Sequence, residues 1–373
     1  MPQADTDDYR RLLLKDVPLI DTRAPVEFAR GAFPQACNLP LMDDEQRHQV
    51  GLRYKQAGQD AAIALGKTLL TPTLRAARTQ AWVEFSQTHP DGYLYCFRGG
   101  LRSRITQSWL RDAGVHYPRV VGGYKALRRF LIDAFSAAVE RAPLVLLGGR
   151  TGSGKTQLLT SLPHHVDLEA IAGHRGSSFG HLDGEQPTPI QFENTLAIHW
   201  LRAMEDKPAP LMVEAEGRLI GSLCLPLPLW QKMQAAPCVL LETDLAQRVS
   251  IAIDDYVVDL TRRLQTFLPR DDAITHLGER HRHSLYRIRK RLGGVRYEQA
   301  RKLLDAAVCA HRDHDALDGY RPFVALLLKD YYDPMYDYQL SQRSTRVLLR
   351  GDAETLRDWA TTSSPISSLP SIA

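Results

Sequence analysis

The sequence predicts an α/β protein of two successive parallel-sheet domains, the second extended by a helical, basic region. Three observations predict it. Short apolar runs alternate with helical segments over the first third of the chain, the pattern of strands joined by crossover helices. Near Arg141 a second alternation starts, with an apolar strand running straight into a glycine-rich loop and a helix. The stretch Ala246 to Ala307 then reads as largely helical and carries a crowd of cations. The expected domains are 1–135 and 136–360, with the helical region at about 244–307, followed by a tail over 361–373.

Taken in order, Val17-Pro18-Leu19-Ile20 is the first strand and ends in Asp21-Thr22-Arg23. Tyr93-Leu94-Tyr95 is the second, leading into Cys96-Phe97-Arg98-Gly99-Gly100-Leu101-Arg102-Ser103 and a helix from Ile105 to Asp112 closed by Gly114. Arg119-Val120-Val121 reads as a third strand ending at Gly122-Gly123. Phe130 to Ala142 reads as a helix, so the two halves are expected to be joined stiffly. Pro143 to Leu147 is a buried strand by composition, Leu211 to Val213 and Cys238 to Leu241 are further candidate strands, and Ile190 to Met204 reads as a helix. The last thirteen residues are uncharged and rich in Ser and Pro, the composition of a disordered tail.

The chain has 373 residues, enough for two or three domains at about 150 residues each. Hydrophobic residues make up 44% and charged residues 24%, which excludes a disordered chain, a collagen-like fibre and a coiled-coil rod. No run approaches the roughly 18 apolar residues of a membrane span, so no membrane partner is expected. The acidic start, MPQADTDDYR, lacks the basic and apolar regions of a signal peptide. Cys37, Cys96, Cys224, Cys238 and Cys309 are few, odd in number and scattered, which argues against a disulfide framework or zinc site and for a reducing cytoplasm. The net charge of +4 permits a nucleic-acid partner without requiring one.

Two motifs carry chemistry. Gly149, Arg150, Thr151, Gly152, Ser153, Gly154, Lys155 and Thr156 fit the Walker A pattern, with a strand before it and a helix after it. Glycines let backbone N–H groups turn inward around phosphate oxygens, and the helix N-terminus adds a positive dipole. Lys155 would reach the terminal phosphates and Thr156 is the candidate ligand for magnesium; no other metal and no tightly bound cofactor is expected. A hydrolase also needs an acid on a second strand, for which Glu214 or Glu216 is the candidate, the alternative being a plain polar strand end. The second motif is Cys96, at a strand end before a Gly-containing loop and a helix. Loop amides and a helix N-terminus there favour a thiolate, and Arg98 and Arg102 add positive charge. The alternative is a buried structural cysteine.

Further candidates are less specific. His174, Arg175 and Ser177 lie in a Gly-rich loop that could close over an anion or an anticodon, or be an ordinary polar loop. Arg280, Arg282, Arg287, Arg289, Lys290, Arg291 and Arg296, with Arg301 and Lys302, crowd one helical stretch interleaved with Tyr286 and Tyr297. That is a phosphate-contacting face or a solvated helix.

The Cys96 loop, with Asp21-Thr22-Arg23, Glu27-Phe28, Gly31 and Asn38-Leu39-Pro40, resembles a rhodanese domain over roughly residues 5–135. Such domains carry sulfur or selenium on the active-site cysteine. Five residues separate Cys96 from Arg102, one more than in the common sulfurtransferase loop; this resembles rhodanese-fold phosphatases and fits a tetrahedral anion. A rhodanese-like domain followed by a P-loop domain resembles the tRNA 2-selenouridine synthase family. The same family is matched by Gly173 to Gly180, Glu214-Ala215-Glu216-Gly217-Arg218 and Tyr331 to Gln339. The resemblance implies a transferase acting on tRNA through the anticodon stem-loop, with geranyl diphosphate and selenophosphate as substrates and the selenophosphate-producing enzyme as a possible partner. It implies that a wobble 5-substituted 2-thiouridine is first S-geranylated and then selenated. Cys96 would attack selenium and carry it, Arg98 and Arg102 would hold phosphoryl oxygens, and the Lys155 loop would bind the diphosphate or else a nucleotide. Tyr331, Tyr332, Tyr336 and Tyr338 would stack on anticodon bases or pack in the core. Two other readings stay open: a rhodanese-fold phosphatase fused to a P-loop kinase-like domain, and a nucleotide-dependent RNA-binding switch.

Overall fold

The computed structural model describes residues 4–175, 177, 179–180, 185–205, 210–341 and 346–361. These fall into two compact units, Met1–Ala138 with Pro187–Glu205, and Val139–Gln186 with Asp206–Ala373.

In the first unit, strands β1 (Leu19–Asp21), β2 (Ala36–Asn38) and β3 (Tyr93–Tyr95) form a parallel sheet in the order β2-β1-β3. Leu19, Ile20, Leu94 and Tyr95 are fully buried, which is why β1 and β3 read as continuous rather than alternating apolar runs. Arg119–Val121, expected as a strand, contributes only isolated bridges, Arg119 to Leu94 and Val120 to Thr6. The positive φ of Gly122 and Gly123 ends the extended run there. Helices α1 (Asp44–Leu69), α2 (Pro72–Thr88), α3 (Leu101–Asp112) and α4 (Gly123–Arg141) complete the unit's main chain run. Its core gathers Ile20, Leu41, Trp82, Leu94, Leu110 and Tyr117. α3 begins at Leu101, earlier than the expected Ile105, because Gly100 is its N-cap.

Helix Pro189–Ala203 belongs to this first unit and not to the 136–360 domain expected from chain order. Its Asn194 Nδ2 donates to the Ala32 carbonyl at 2.9 Å, and Trp200 packs edge-on to Phe135 with centroids 5.8 Å apart. Arg202 donates to the Leu13 carbonyl at 2.9 Å. The boundary between units falls inside α4, at 138/139 rather than 135/136.

The second unit is built on five parallel strands: β4 (Leu144–Gly149), β5 (His165–Val166), β6 (Leu211–Glu214), β7 (Cys238–Leu241) and β8 (Val347–Gly351). Their order is β8-β7-β4-β6-β5, so β4 lies in the middle and is buried along its whole length. α5 (Lys155–Thr160) leaves the loop after β4. The helical region runs well past 307. It comprises α6 (Leu245–Ile253), α7 (Arg270–Leu292), α8 (Gly294–His314), α9 (Tyr320–Leu327) and α10 (Asp333–Ser341). π-helical turns at Asp254–Val258 and Leu328–Tyr332 follow α6 and α9. One apolar cluster joins these helices, including Ile274, Leu277, Leu285, Leu304, Phe323 and Leu327. Residue 361 ends a last helix, α11 (Ala353–Thr361), and the rest of the expected tail lies outside the described residues. Among the described residues no helix is long and apolar enough to cross a membrane.

Candidate active site

The Gly149–Thr156 loop turns from the C-terminal end of the central strand β4 into α5, where open parallel sheets bind ligands. It is held from three sides. Thr243 Oγ1 donates to the Ser153 carbonyl at 2.9 Å, and Arg248 Nε donates to the Thr151 carbonyl at 3.0 Å. Arg248, almost fully buried, is paired in turn with Asp333 at 2.6 Å. Arg150, expected on phosphate, instead donates to both oxygens of Asp337 at 2.9 and 2.8 Å, and Asp333 stands 3.6 Å away. Its guanidinium is a brace between loop and α10 because two acids one helical turn apart, Asp333 and Asp337, offer it a charged face. Arg248, Asp333 and Asp337 were not expected in the site. The signal for the two acids is their four-residue spacing within Tyr331–Gln339, whereas nothing in the local sequence sets Arg248 apart.

Lys155 curls over the loop, its Nζ donating to the Gly149 carbonyl at 2.9 Å and weakly to that of Arg150 at 3.5 Å. Ser153 Oγ is buried without a hydrogen-bond partner among the described residues. Both are cation or donor groups that phosphate oxygens would satisfy better than the loop does.

Glu214 ends β6 beside β4 and receives the Thr156 hydroxyl at 3.2 Å on one oxygen, while the other is buried and unpartnered among the described residues. Burial, then the charges of Glu169, Asp167 and Glu216, push its carboxyl up to about 9, with Lys155 opposing. It is therefore protonated at neutral pH. Since its folded-state pKa stands above its ordinary 4.5, stability is lost as pH rises from about 4.5 towards 9. Glu214→Gln keeps the shape and removes that loss. In chelator at pH 8 the variant should be more stable than the parent by about 1–3 kcal/mol in urea melts, and the gap should nearly close at pH 5. An equal gap at both pH values would contradict this.

The loop opens into a cavity of about 760 Å³. Glu216 and the His174, Arg175 and Ser177 stretch line it, as do Tyr332, Tyr336 and Tyr338, so three of the separated family-like stretches meet the phosphate loop. Asp167, Glu169 and Trp230 line it too and were not expected; nothing in their local sequence sets them apart. Arg175 donates to the Asp255 carbonyl at 2.7 Å and pairs with Asp255 and Asp259 at 3.3 and 3.4 Å, which ties this stretch to the first π-helical turn. Residues 176 and 178 lie outside the described residues. Tyr331 and Tyr332 pack edge-to-face in the helical core with centroids 5.0 Å apart, so of the four tyrosines only Tyr338 is widely exposed.

The cations between Arg280 and Lys302 do not line this cavity. They sit on and around the α7–α8 hairpin, whose buried side is Ile274, Leu277, Leu285 and Ile288. Arg282 pairs with Asp305 at 2.7 Å and Arg296 with Asp330 at 3.6 Å, while Arg289 lies over the exposed Tyr286 ring at 3.6 Å. Arg287, Lys290 and Arg291 are exposed, and no acidic residue occurs between Glu279 and Glu298.

In the first unit, Cys96 follows β3 directly and is buried, with the N-terminus of α3 just beyond Gly100. The loop is packed against Gly122-Gly123: a Cβ on Gly123 would lie 2.2 Å from the Cys96 carbonyl, and one on Gly99 2.8 Å from the Gly122 nitrogen. Arg102, expected on an anion, forms a two-pronged pair with Glu27 at 2.7 and 3.3 Å. Arg98 and Leu101 are exposed, and the Ser103 hydroxyl is buried without a partner among the described residues. Asp21 and Arg23 form a buried ion pair at 2.6 Å, with the guanidinium 3.7 Å over the Tyr124 ring and donating to the Gly31 carbonyl. The pair sits at the end of β1, where Asp21 lies opposite Tyr95, the residue before Cys96.

The second unit is thus a P-loop domain, and the first an α/β unit with a cysteine at a strand end. The family model of the tRNA 2-selenouridine synthase AAA domain matches residues 142–365. A protein from Marinobacter nauticus named tRNA 2-selenouridine synthase is 48% identical over 356 residues, covering 95% of this chain and 97% of its own. One of the same name from Hahella chejuensis is 50% identical, covering 95% and 94%. A third, from Pseudomonas fluorescens, is 47% identical, covering 97% and 99%. The chain belongs to the tRNA 2-selenouridine synthase family.

Proposed function

We propose that this protein replaces sulfur by selenium at C2 of the wobble 5-substituted 2-thiouridine of tRNA, in the cytoplasm, by geranylation and then selenation. Family membership supports the overall exchange over the phosphatase alternative. The observation that carries the division of labour is the cavity joining the Lys155 loop to three family-like stretches.

In the first step the thione sulfur attacks C1 of geranyl diphosphate, the C–O bond breaks and diphosphate leaves. The loop amides, Ser153 and Lys155 neutralise the charge that grows on the departing oxygen. Thr156 would meet magnesium. Glu214 beside it would have to give up its proton to serve as a second ligand, and no cluster of three His, Cys, Asp or Glu stands ready for a metal among the described residues. Diphosphate oxygens and water would supply the remaining ligands, and the ion would add positive charge to the same leaving group. In the second step selenium from selenophosphate takes the place of the geranylthio group at C2, and geranylthiol leaves. Water takes the phosphoryl group as phosphate. Cys96, with Arg98, Arg102 and Ser103 around it, is the group assigned to handling selenophosphate. Its loop is the rhodanese-like part of the chain. Engagement of an anion by Arg102 requires sharing it with Glu27.

The α7–α8 hairpin is the proposed contact with the anticodon stem-loop, and the selenophosphate-producing enzyme is a proposed partner. The double variant Lys290→Ala/Arg291→Ala should weaken tRNA binding in filter assays. It should also make the slope of log K against log salt shallower by about 2, one per lost phosphate contact. An unchanged slope would place the tRNA elsewhere.

A further inference from the structure

Beside the P-loop cavity lies a smaller one of about 40 Å³ whose exposed surface is apolar throughout. Phe179, Val257, Phe323, Val324, Leu327 and Leu328 supply most of it. Thr151, Ser177, Tyr256 and Tyr332 line both spaces, so the apolar one opens at the phosphate loop itself. Tyr256 and Tyr332 both stand on π-helical turns, one in each. Such turns insert a residue into a helix, cost regular hydrogen bonding, and recur where side chains must be re-aimed at a ligand.

The only imidazole in the lining, His281, donates from Nε2 to the Tyr256 carbonyl at 3.0 Å. Burial holds its pKa down to about 4, so it adds no positive charge at neutral pH. Protein interiors leave few voids wider than a water molecule, and a carbon-lined void does not hold water well. At roughly 10–15 Å³ per water-sized group, this one admits about three such groups, the size of a branched hydrocarbon end. An unfilled apolar void costs stability, and here it adjoins a loop built for phosphate.

We infer that this pocket receives the hydrocarbon chain of a prenyl diphosphate whose diphosphate lies on the Gly149–Thr156 loop, the terminal isoprene unit among Phe179, Phe323, Val324 and Leu327. This rests on the geranylation reading above and deepens it by placing the chain.

The test compares binding of inorganic diphosphate and geranyl diphosphate by calorimetry on the full chain. The wild type should bind geranyl diphosphate at least about tenfold more tightly, the return on burying several methylene-sized groups. Val324→Phe and Phe179→Trp fill the pocket from half-buried positions. Each should erase that advantage and leave inorganic diphosphate binding within twofold, which also reports that the variant is folded. If inorganic diphosphate binds but the geranyl chain adds nothing, or if both filled variants keep the tenfold gain, the pocket assignment is overturned and the phosphate-loop reading stands. If neither ligand binds wild type, both fall together.

Discussion

Lys155→Ala should abolish both products, lowering the rate of geranylation by about 100- to 1,000-fold, the usual cost of losing one preorganised charge at a leaving group. In the resting protein Nζ is bound to the Gly149 carbonyl, a neutral partner that a diphosphate oxygen outcompetes. The loss belongs in the rate more than in tRNA affinity, because Lys155 lies in the cavity and apart from the α7–α8 hairpin. Liquid chromatography of digested tRNA would read it. Geranylated nucleoside formed at more than about a tenth of the wild-type rate would remove Lys155 from the chemistry.

Cys96→Ser should have the opposite signature. Geranylation should continue within about twofold, and the geranylated nucleoside should accumulate because the selenium step slows by at least about a thousandfold. The contact with Gly123 is made by the Cys96 backbone carbonyl, which serine keeps, so the change isolates the thiol. The by-product also informs. Attack of the Cys96 sulfur on selenium would leave phosphorus two electrons richer, as phosphite. Direct transfer of selenium with water as phosphoryl acceptor leaves phosphate. Phosphorus NMR of the spent reaction separates a selenium carrier from a positioning thiol.

The parts legible in the sequence were those where local chemistry forces local structure. A buried strand running into Gly149–Thr156 and a helix has few other ways to fold, and β4, β6 and β7 lie close to where their apolar runs predict. Helices α1 and α2 were not legible. α1 buries only Ala62 and Gly66 and α2 only Trp82 and Ser86, so neither presents an apolar stripe for periodicity to find. The assignment of Pro189–Ala203 to the first unit was hidden for a different reason. It depends on long-range partners, Ala32, Leu13 and Phe135, that chain order does not disclose. The same holds in the site. The glycines, Lys155 and Thr156 announce themselves by spacing, whereas Arg248 gains its role only by folding onto the Thr151 carbonyl and Asp333. Arg150 and Arg102 carry the right charge for an anion, yet Asp337 and Glu27 claim them through charge-assisted hydrogen bonds, to both Asp337 oxygens from one Arg150 nitrogen and in a two-nitrogen fork from Arg102.

The most direct measurement mixes purified protein with 2-thiouridine-containing tRNA, geranyl diphosphate and selenophosphate, then weighs the nucleosides after digestion. Wild type, Lys155→Ala and Cys96→Ser run side by side. Selenium should replace sulfur in the wild type, the thionucleoside should stay untouched with Lys155→Ala, and the geranylated nucleoside alone should form with Cys96→Ser. A wild-type protein that leaves the thionucleoside unchanged, or a Cys96→Ser variant that still installs selenium at the wild-type rate, would contradict this.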